Sequence, residues 1–135
     1  NYAYGYWSGS IGIVGVTPEK LFTHSSRHAQ KLETMALAGT CALEDVHLLQ
    51  LESEKILEEH FYVVEGIKES CSRLGEVSIL DRQIVKLPTV AHLLTPITID
   101  LKRPFDFQDA VKALHPTPAL GTYPKESGRE WLESY

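Results

Sequence analysis

Hydrophobic positions change their period along this chain, from strand-like to helical and back. Residues 2–16 are rich in aromatic, Gly and β-branched residues. Tyr6, Trp7, Ile11, Ile13 and Val16 there predict strand pairing around a glycine-rich stretch. Thr17-Pro18-Glu19 punctuates it, residues 20–23 continue as a short edge, and the polar residues 25–30 read as a hairpin tip. Residues 31–37 resume as a strand that runs into Ala38-Gly39-Thr40. The longest helix is predicted over residues 46–74, where Ile56, His60, Val63, Val64, Ile67, Cys71 and Leu74 recur at helical spacing. Asp45 is its candidate N-cap and Gly75 its C′ stop. Strand character returns over residues 76–101, interrupted by Pro88 and Pro96. Residues 107–114 then read as a helix capped by Asp106. Pro116, Pro118 and Pro124 with Gly121 make a stiff loop, and a third helix starts at Lys125. Strands, helix, strands, helix is the order of an α+β fold with an antiparallel sheet packed with helices, rather than an alternating parallel one.

Composition bounds the function. The chain has 135 residues and is 43% hydrophobic, which suits one domain or about half of a larger one. It opens on strand character at Tyr2 and closes at Tyr135 within a helical pattern, so it reads as a segment of a longer protein. With 18 acidic against 13 basic residues and a net charge of -5, no basic stripe forms, and no nucleic acid partner is expected. The apolar runs are far shorter than the ~20 residues of a membrane span, so no membrane partner is expected either. Cys41 and Cys71 lie far apart in sequence, as buried free thiols of a reducing cytoplasm would.

Candidate chemistry begins on the long helix. At about 100° per residue Glu58 points away from the apolar stripe, Glu59 falls at its edge and His60 inside it. A carboxylate at the rim of a buried face suits a hard cation such as Mg²⁺, which takes oxygen ligands and keeps several waters. The plainer alternative is a solvated helix with pairs such as Lys55 with Glu59, and His60 reads better as a satisfied core histidine than as a ligand. Gly39-Thr40 is either an ordinary turn or a place where a ligand approaches the backbone and meets a hydroxyl. The loop at residues 115–121 is stiff enough to hold an anion at little ordering cost, or is simply a helix-terminating connection. Glu19, beside a proline at a strand end, and His92, within an apolar run, are each an acid, a base or a hydrogen-bond donor. His24 and His28 have i,i+4 metal spacing but sit in a polar hairpin, which argues against a metal there.

Taken in chain order, these pieces resemble one family. Thr17-Pro18-Glu19-Lys20-Leu21 resembles the S-P-E-x-L signature of chorismate-utilising enzymes. Ala36-Leu37-Ala38-Gly39-Thr40 resembles their A-L-A-G-T turn. Lys55 to Val64 resembles their K-x-x-x-E-H-x-x-V-V helix, and Val90-Ala91-His92-Leu93 their V-Q-H-L. Leu114 to Leu120 reads L-H-P-T-P-A-L, the form of the isochorismate synthases. Anthranilate-type members usually carry P-A-G-T-x-S-G-A-P-K there.

The resemblance implies part of a chorismate-binding domain over residues 1–135, with the anthranilate synthase component I-like fold and chorismate as small-molecule substrate. Water is then the nucleophile, and the parent serves menaquinone, siderophore or salicylate synthesis. It also implies roles: Glu19 as the acid that protonates the departing C4 hydroxyl, and Glu59 as a Mg²⁺ carboxylate. Gly39 and Thr40 border substrate and metal, His92 lines the pocket, and Ala119, Leu120 and Gly121 close over the ring. Departures are Thr122, where members carry Gly, and Ile56, where several carry an acidic or amide residue. The family's base lysine, its substrate-binding arginine and its second metal carboxylate match nothing in residues 1–135. The 135-residue polypeptide is therefore expected to lack synthase activity by itself. An exposed apolar sheet is expected to drive self-association or pairing with a complementary chain.

Overall fold

The computed structural model describes residues 2–25, 27, 30–50, 53–124, 128, 131 and 134. In chain order they form β1 (Tyr2–Ser8), β2 (Ile11–Thr17), β3 (Thr23–His24), β4 (Lys31–Ala42), a 3-10 turn (Leu43–Asp45), α1 (His47–Gln50), α2 (Glu54–Ser72), β5 (Gly75–Ile79), β6 (Gln83–Lys86), β7 (Val90–Leu101) and α3 (Phe107–Leu114). Every pairing among the described strands is antiparallel, so the α+β expectation holds.

Alternation along β4 and β7 builds the centre. The strands pair over their whole lengths, with Leu32 opposite Ile99, Thr34 opposite Ile97, Ala36 opposite Thr95 and Ala38 opposite Leu93. These side chains share one face, and α2 lies on it through Val63, Val64, Ile67 and Cys71, joined by Ala110, Ala113 and Leu114 of α3. Each fully buried Leu or Ile here contributes roughly 1.5–3 kcal/mol over its exposed state. The five-stranded sheet runs β3-β4-β7-β5, with β6 also on β7. Pro96 sits inside β7 opposite Met35, and its carbonyl accepts from Leu80. A strand residue's N–H and C=O point the same way, so the donor Pro96 lacks faces the break between β5 and β6, where none is needed.

The long helix departs from expectation. It begins at Ser53 rather than Asp45, and the segment before it folds as the 3-10 turn and α1. Leu49 explains why: it is buried in a separate cluster with Ala91 and Leu93, at a different part of the sheet from the α2 stripe. Gly75 does not stop the helix in a left-handed conformation. It opens β5, and an added Cβ would run into the carbonyl of Asp100, so its service is close strand approach. Asp106 caps α3 as expected, accepting from the Asp109 N–H at 2.9 Å. The helix expected from Lys125 lies mostly outside the described residues.

β1 and β2 form a hairpin of their own, turned by Gly9 at φ 61°. Tyr6, Trp7, Ile11, Ile13, Val14 and Val16 are all exposed on it. Trp7 lies over Gly12 and Tyr4 over Gly15, each ring occupying the space a side chain would need. Both cysteines are free: Cys71 is buried, with its thiol pushed up to about 11 by burial, but Cys41 is only half-buried. No described helix is long and apolar enough to cross a membrane.

Candidate active site

The site is built where β4 changes register. Gly39 takes φ 73°, and the β4–β7 pairing slips there, so that Thr40 pairs with His92. A glycine in the left-handed region carrying an extra residue is a bulge. It turns Thr40 off the helix-covered face and onto that of His92. The Thr40 hydroxyl then lies 2.8 Å from Nδ1 of His92, whose pKa is lowered by partial burial. Gly39 is also needed for space: a Cβ would come 2.8 Å from Cγ2 of Ile56 on α2. The apolar residue at position 56 thus packs on the bulge.

Beside the bulge, α2 supplies the next wall. A cleft of about 310 Å³ is bounded by Leu37, Thr40, Glu59, Tyr62, Ala119 and Gly121, among others. Four of the residues singled out from sequence therefore meet in one place. Glu58 is engaged elsewhere, accepting from the Tyr62 hydroxyl at 2.7 Å, and the Lys55–Glu59 pair that the spacing permits does not form among the described residues. His60 is 3% exposed. Its Nδ1–H donates to the Ala38 carbonyl at 3.2 Å, and its Nε2 accepts from the Thr95 hydroxyl at 2.8 Å. It is a satisfied core histidine, its pKa lowered by burial, and it ties α2 to the sheet next to the bulge.

Glu19 lies in a second cleft, of about 690 Å³, among Tyr2, Tyr4, Leu21, Phe22, Thr117 and Leu120. Its backbone N–H donates to the Thr17 hydroxyl at 3.1 Å, which fixes the turn after β2. Its Oε1 is buried and has no hydrogen-bond partner. Burial raises its pKa, so the carboxyl holds its proton more firmly than an exposed one.

The loop after α3 divides the two clefts. Thr117 and Leu120 face the Glu19 side, and Ala119 and Gly121 the Glu59 side. Leu120 is 77% exposed. The Thr117 carbonyl accepts from the N–H groups of Leu120 (3.0 Å) and Gly121 (2.9 Å), closing a tight turn. Gly66 of α2 lets this loop approach, since a Cβ there would come 2.5 Å from Pro118 and 3.0 Å from Tyr123. The Tyr123 ring lies 5.7 Å from that of Tyr62, tilted by 31°, and its hydroxyl donates to Glu69 at 2.9 Å. Thr122 lines the Glu59 cleft. Sequence reading passed over Thr117, Tyr62 and Gly66. A glycine inside a strong helix was the available signal, because it costs helix stability and so implies a packing reason.

His24 stacks on Phe105 at 3.9 Å, and His28 lies outside the described residues. Among the described residues no group of three His, Cys, Asp or Glu comes together. The carboxylate that lines the Thr40 cleft is Glu59, and one carboxylate completed by substrate and water oxygens is a donor set Mg²⁺ accepts.

Known proteins resemble this chain in sequence and in fold. The chain is 36% identical to the salicylate biosynthesis isochorismate synthase of Pseudomonas aeruginosa over 94% of its own length and 28% of that protein's. It is likewise 36% identical to the isochorismate synthase MenF of Bacillus subtilis over 84% of its length and 26% of that protein's. The menaquinone-specific isochorismate synthase MenF of Escherichia coli superposes with a TM-score of 0.78 at 27% identity, over 91% of this chain and 30% of that one. Anthranilate synthase component I of Streptococcus pneumoniae gives 0.77 at 26%, over 93% and 28%. The chain thus spans under a third of the length of these relatives. The family model described as chorismate binding enzyme matches residues 1–135 from end to end, so this chain belongs to the chorismate-binding enzymes and is isochorismate synthase-like among them.

Proposed function

We propose that the chain supplies the proton donor and one metal carboxylate of a Mg²⁺-dependent isochorismate synthase, acting in the cytoplasm on chorismate for menaquinone or siderophore synthesis. The observation that carries the reading is Glu19: a carboxyl with raised pKa and a buried, unpartnered oxygen in an apolar cleft. Hydroxide is a poor leaving group, and a carboxyl that burial makes hold its proton more firmly suits the acid such a departure needs. As the C4–O bond of chorismate breaks, Glu19 gives its proton to that oxygen, which leaves as water. A second water adds at C2, the ring double bonds shift, and the added water loses its proton to a base. One water enters and one leaves, so the net reaction is an isomerisation.

Glu59 would hold Mg²⁺, which when bound offsets the charge of a substrate carboxylate. Thr40, hydrogen-bonded to His92, lines the same cleft as Glu59. Gly39 shapes the bulge, and Ala119, Leu120 and Gly121 form the wall over the ring. The isochorismate branch, rather than the anthranilate one, is supported by the loop Leu114 to Leu120 reading L-H-P-T-P-A-L.

Calorimetric titration of chorismate into the 135-residue polypeptide, with and without Mg²⁺, tests the reading. Binding should tighten with Mg²⁺, and Glu59→Gln should remove that gain while Glu19→Gln keeps it. Affinity indifferent to Mg²⁺ in the unchanged chain would count against it.

A second reading is favoured by the β1–β2 hairpin, whose apolar residues are exposed on both faces. An isolated two-stranded hairpin is marginal in water, so a covering chain is expected. On this reading the polypeptide binds chorismate without turnover and pairs with a second copy or a complementary chain. Sedimentation of the unchanged chain against Trp7→Ser decides: a monomer at high concentration in both removes the reading.

A further inference from the structure

Among the described residues the buried side-chain oxygens left without a hydrogen-bond partner are Oε1 of Glu19 and Oγ1 of Thr117. Both residues line the same cleft of about 690 Å³, whose other walls combine aromatic and aliphatic side chains with Thr17, Lys20, Thr23 and His115. Buried polar groups are nearly always paired, and leaving one unpaired costs stability that a fold does not ordinarily give away. An unpaired, covered oxygen on each of two residues that line one cleft points to a ligand whose polar atom completes them.

The position of Thr117 is set by the backbone. Its carbonyl accepts from the N–H of both Leu120 and Gly121, and Pro116 and Pro118 flank it. The residue is 4% exposed, so its hydroxyl does not reach solvent in place of a partner. Nothing in its packing demands an oxygen: a valine has the same shape.

We infer that Thr117 is a substrate-binding residue, whose hydroxyl hydrogen-bonds the same ligand hydroxyl that Glu19 addresses. The chemistry of the two groups is complementary to a single alcohol. A hydroxyl both donates and accepts, a protonated carboxyl donates, and threonine takes either role. Thr117 would hold the alcohol oxygen in place while Glu19 delivers its proton, so it contributes to binding and to alignment at the bond that breaks. This rests on the chorismate reading above, in which that alcohol is the C4 hydroxyl.

The test compares the unchanged chain, Thr117→Val and Thr117→Ser by calorimetric titration with chorismate and with a chorismate analogue lacking the C4 hydroxyl. Thr117→Val is expected to weaken chorismate binding roughly tenfold, the loss of one well-made hydrogen bond. Thr117→Ser should bind nearly as the unchanged chain does. The deoxy analogue should bind the unchanged chain and Thr117→Val alike. Equal chorismate affinity in the unchanged chain and Thr117→Val overturns the inference while leaving the chorismate reading intact. Thermal melting of the ligand-free proteins supplies the independent arm. Removing an unpaired buried hydroxyl should raise the melting temperature of Thr117→Val, whereas a hydroxyl serving the fold would lower it. If the unchanged chain binds no chorismate at all, the substrate reading fails. The Thr117 inference is then judged on melting alone: a rise with Val supports a group kept for a ligand, and a fall overturns it.

Discussion

The Thr40 hydroxyl lies 2.8 Å from Nδ1 of His92, and neither residue would meet the other if β4 kept its register. One glycine makes the pair. Because the bulge depends on the left-handed φ of Gly39 and on its missing Cβ, Gly39→Ala should cost about 1–3 kcal/mol from backbone strain alone. The contact with Ile56 should add to that. Urea unfolding measures the loss, and a Gly39→Ala chain as stable as the unchanged one would show that the bulge is not built this way.

Thr40→Val keeps the bulge but removes the hydroxyl. The expected cost in stability is only about 0.5–1.5 kcal/mol, since the pair is partly open to water. The clearer readout is the His92 ring itself, whose NMR titration should move when its Nδ1 partner is lost. An unmoved His92 titration in Thr40→Val would mean that the two side chains do not bond in solution.

Glu19 should make the fold less stable as pH rises. Its folded pKa lies above the ordinary value of 4.5, so between those two values the folded chain binds more protons than the unfolded one. Stability therefore declines across that window, starting near pH 4.5 and levelling off above the raised value. Glu19→Gln should remove the decline and be the more stable protein at neutral pH. Parallel stability profiles for the two proteins over pH 4 to 8 would contradict the burial of this carboxyl.

His60 works in the opposite sense. Its folded pKa lies below the ordinary 6.5, so the unfolded chain binds the proton first as pH falls. Stability is complete above about 6.5 and is lost downward toward the lowered value. The protonated ring could no longer accept from Thr95, which adds to the loss. Replacing His60 by Gln should flatten the profile in this window while lowering stability throughout by roughly 1–3 kcal/mol, as a buried network is broken. A His60→Gln profile that keeps the slope would assign it to another group.

Gly66→Ala tests the loop. Alanine normally gains roughly 0.5–1 kcal/mol over glycine inside a helix. Here the added methyl meets Pro118 and Tyr123, and overpacking of this kind costs typically about 1–3 kcal/mol. The expected sign is therefore destabilising, with weaker chorismate binding because both clefts share the displaced loop. A gain in stability would show the loop to be loosely seated.

How legible this was from sequence varied with the kind of interaction. β4 was expected only to residue 37, and an interruption was expected at Pro96, which lies inside β7, whereas the capped helix α3 was plain, because an Asp N-cap is a local signal. The start of α2 was not, because residues 46–50 carry the same helical spacing as the residues after them. Only the tertiary burial of Leu49 against Ala91 and Leu93 separates them. Gly75 was placed correctly as a boundary for the wrong reason, since close approach to Asp100 is a contact between distant segments. Thr40, Glu59, Ala119 and Gly121 were named from their family motifs, and the fold brings them to one cleft. Thr117 was missed because a threonine between prolines looks the same in sequence whether its hydroxyl is paired or not.

The loop that separates the clefts has a consequence for anyone who would alter this protein. Its residues alternate sides, Thr117 and Leu120 one way and Ala119 and Gly121 the other, so it behaves as a party wall. A side chain changed on one side of the wall leaves the other cleft's lining in place, whereas a shift of the loop backbone moves both rooms at once. Tolerance for a bulkier ring and alignment of the proton donor can thus be tuned separately through side chains, but not through changes that move the loop itself.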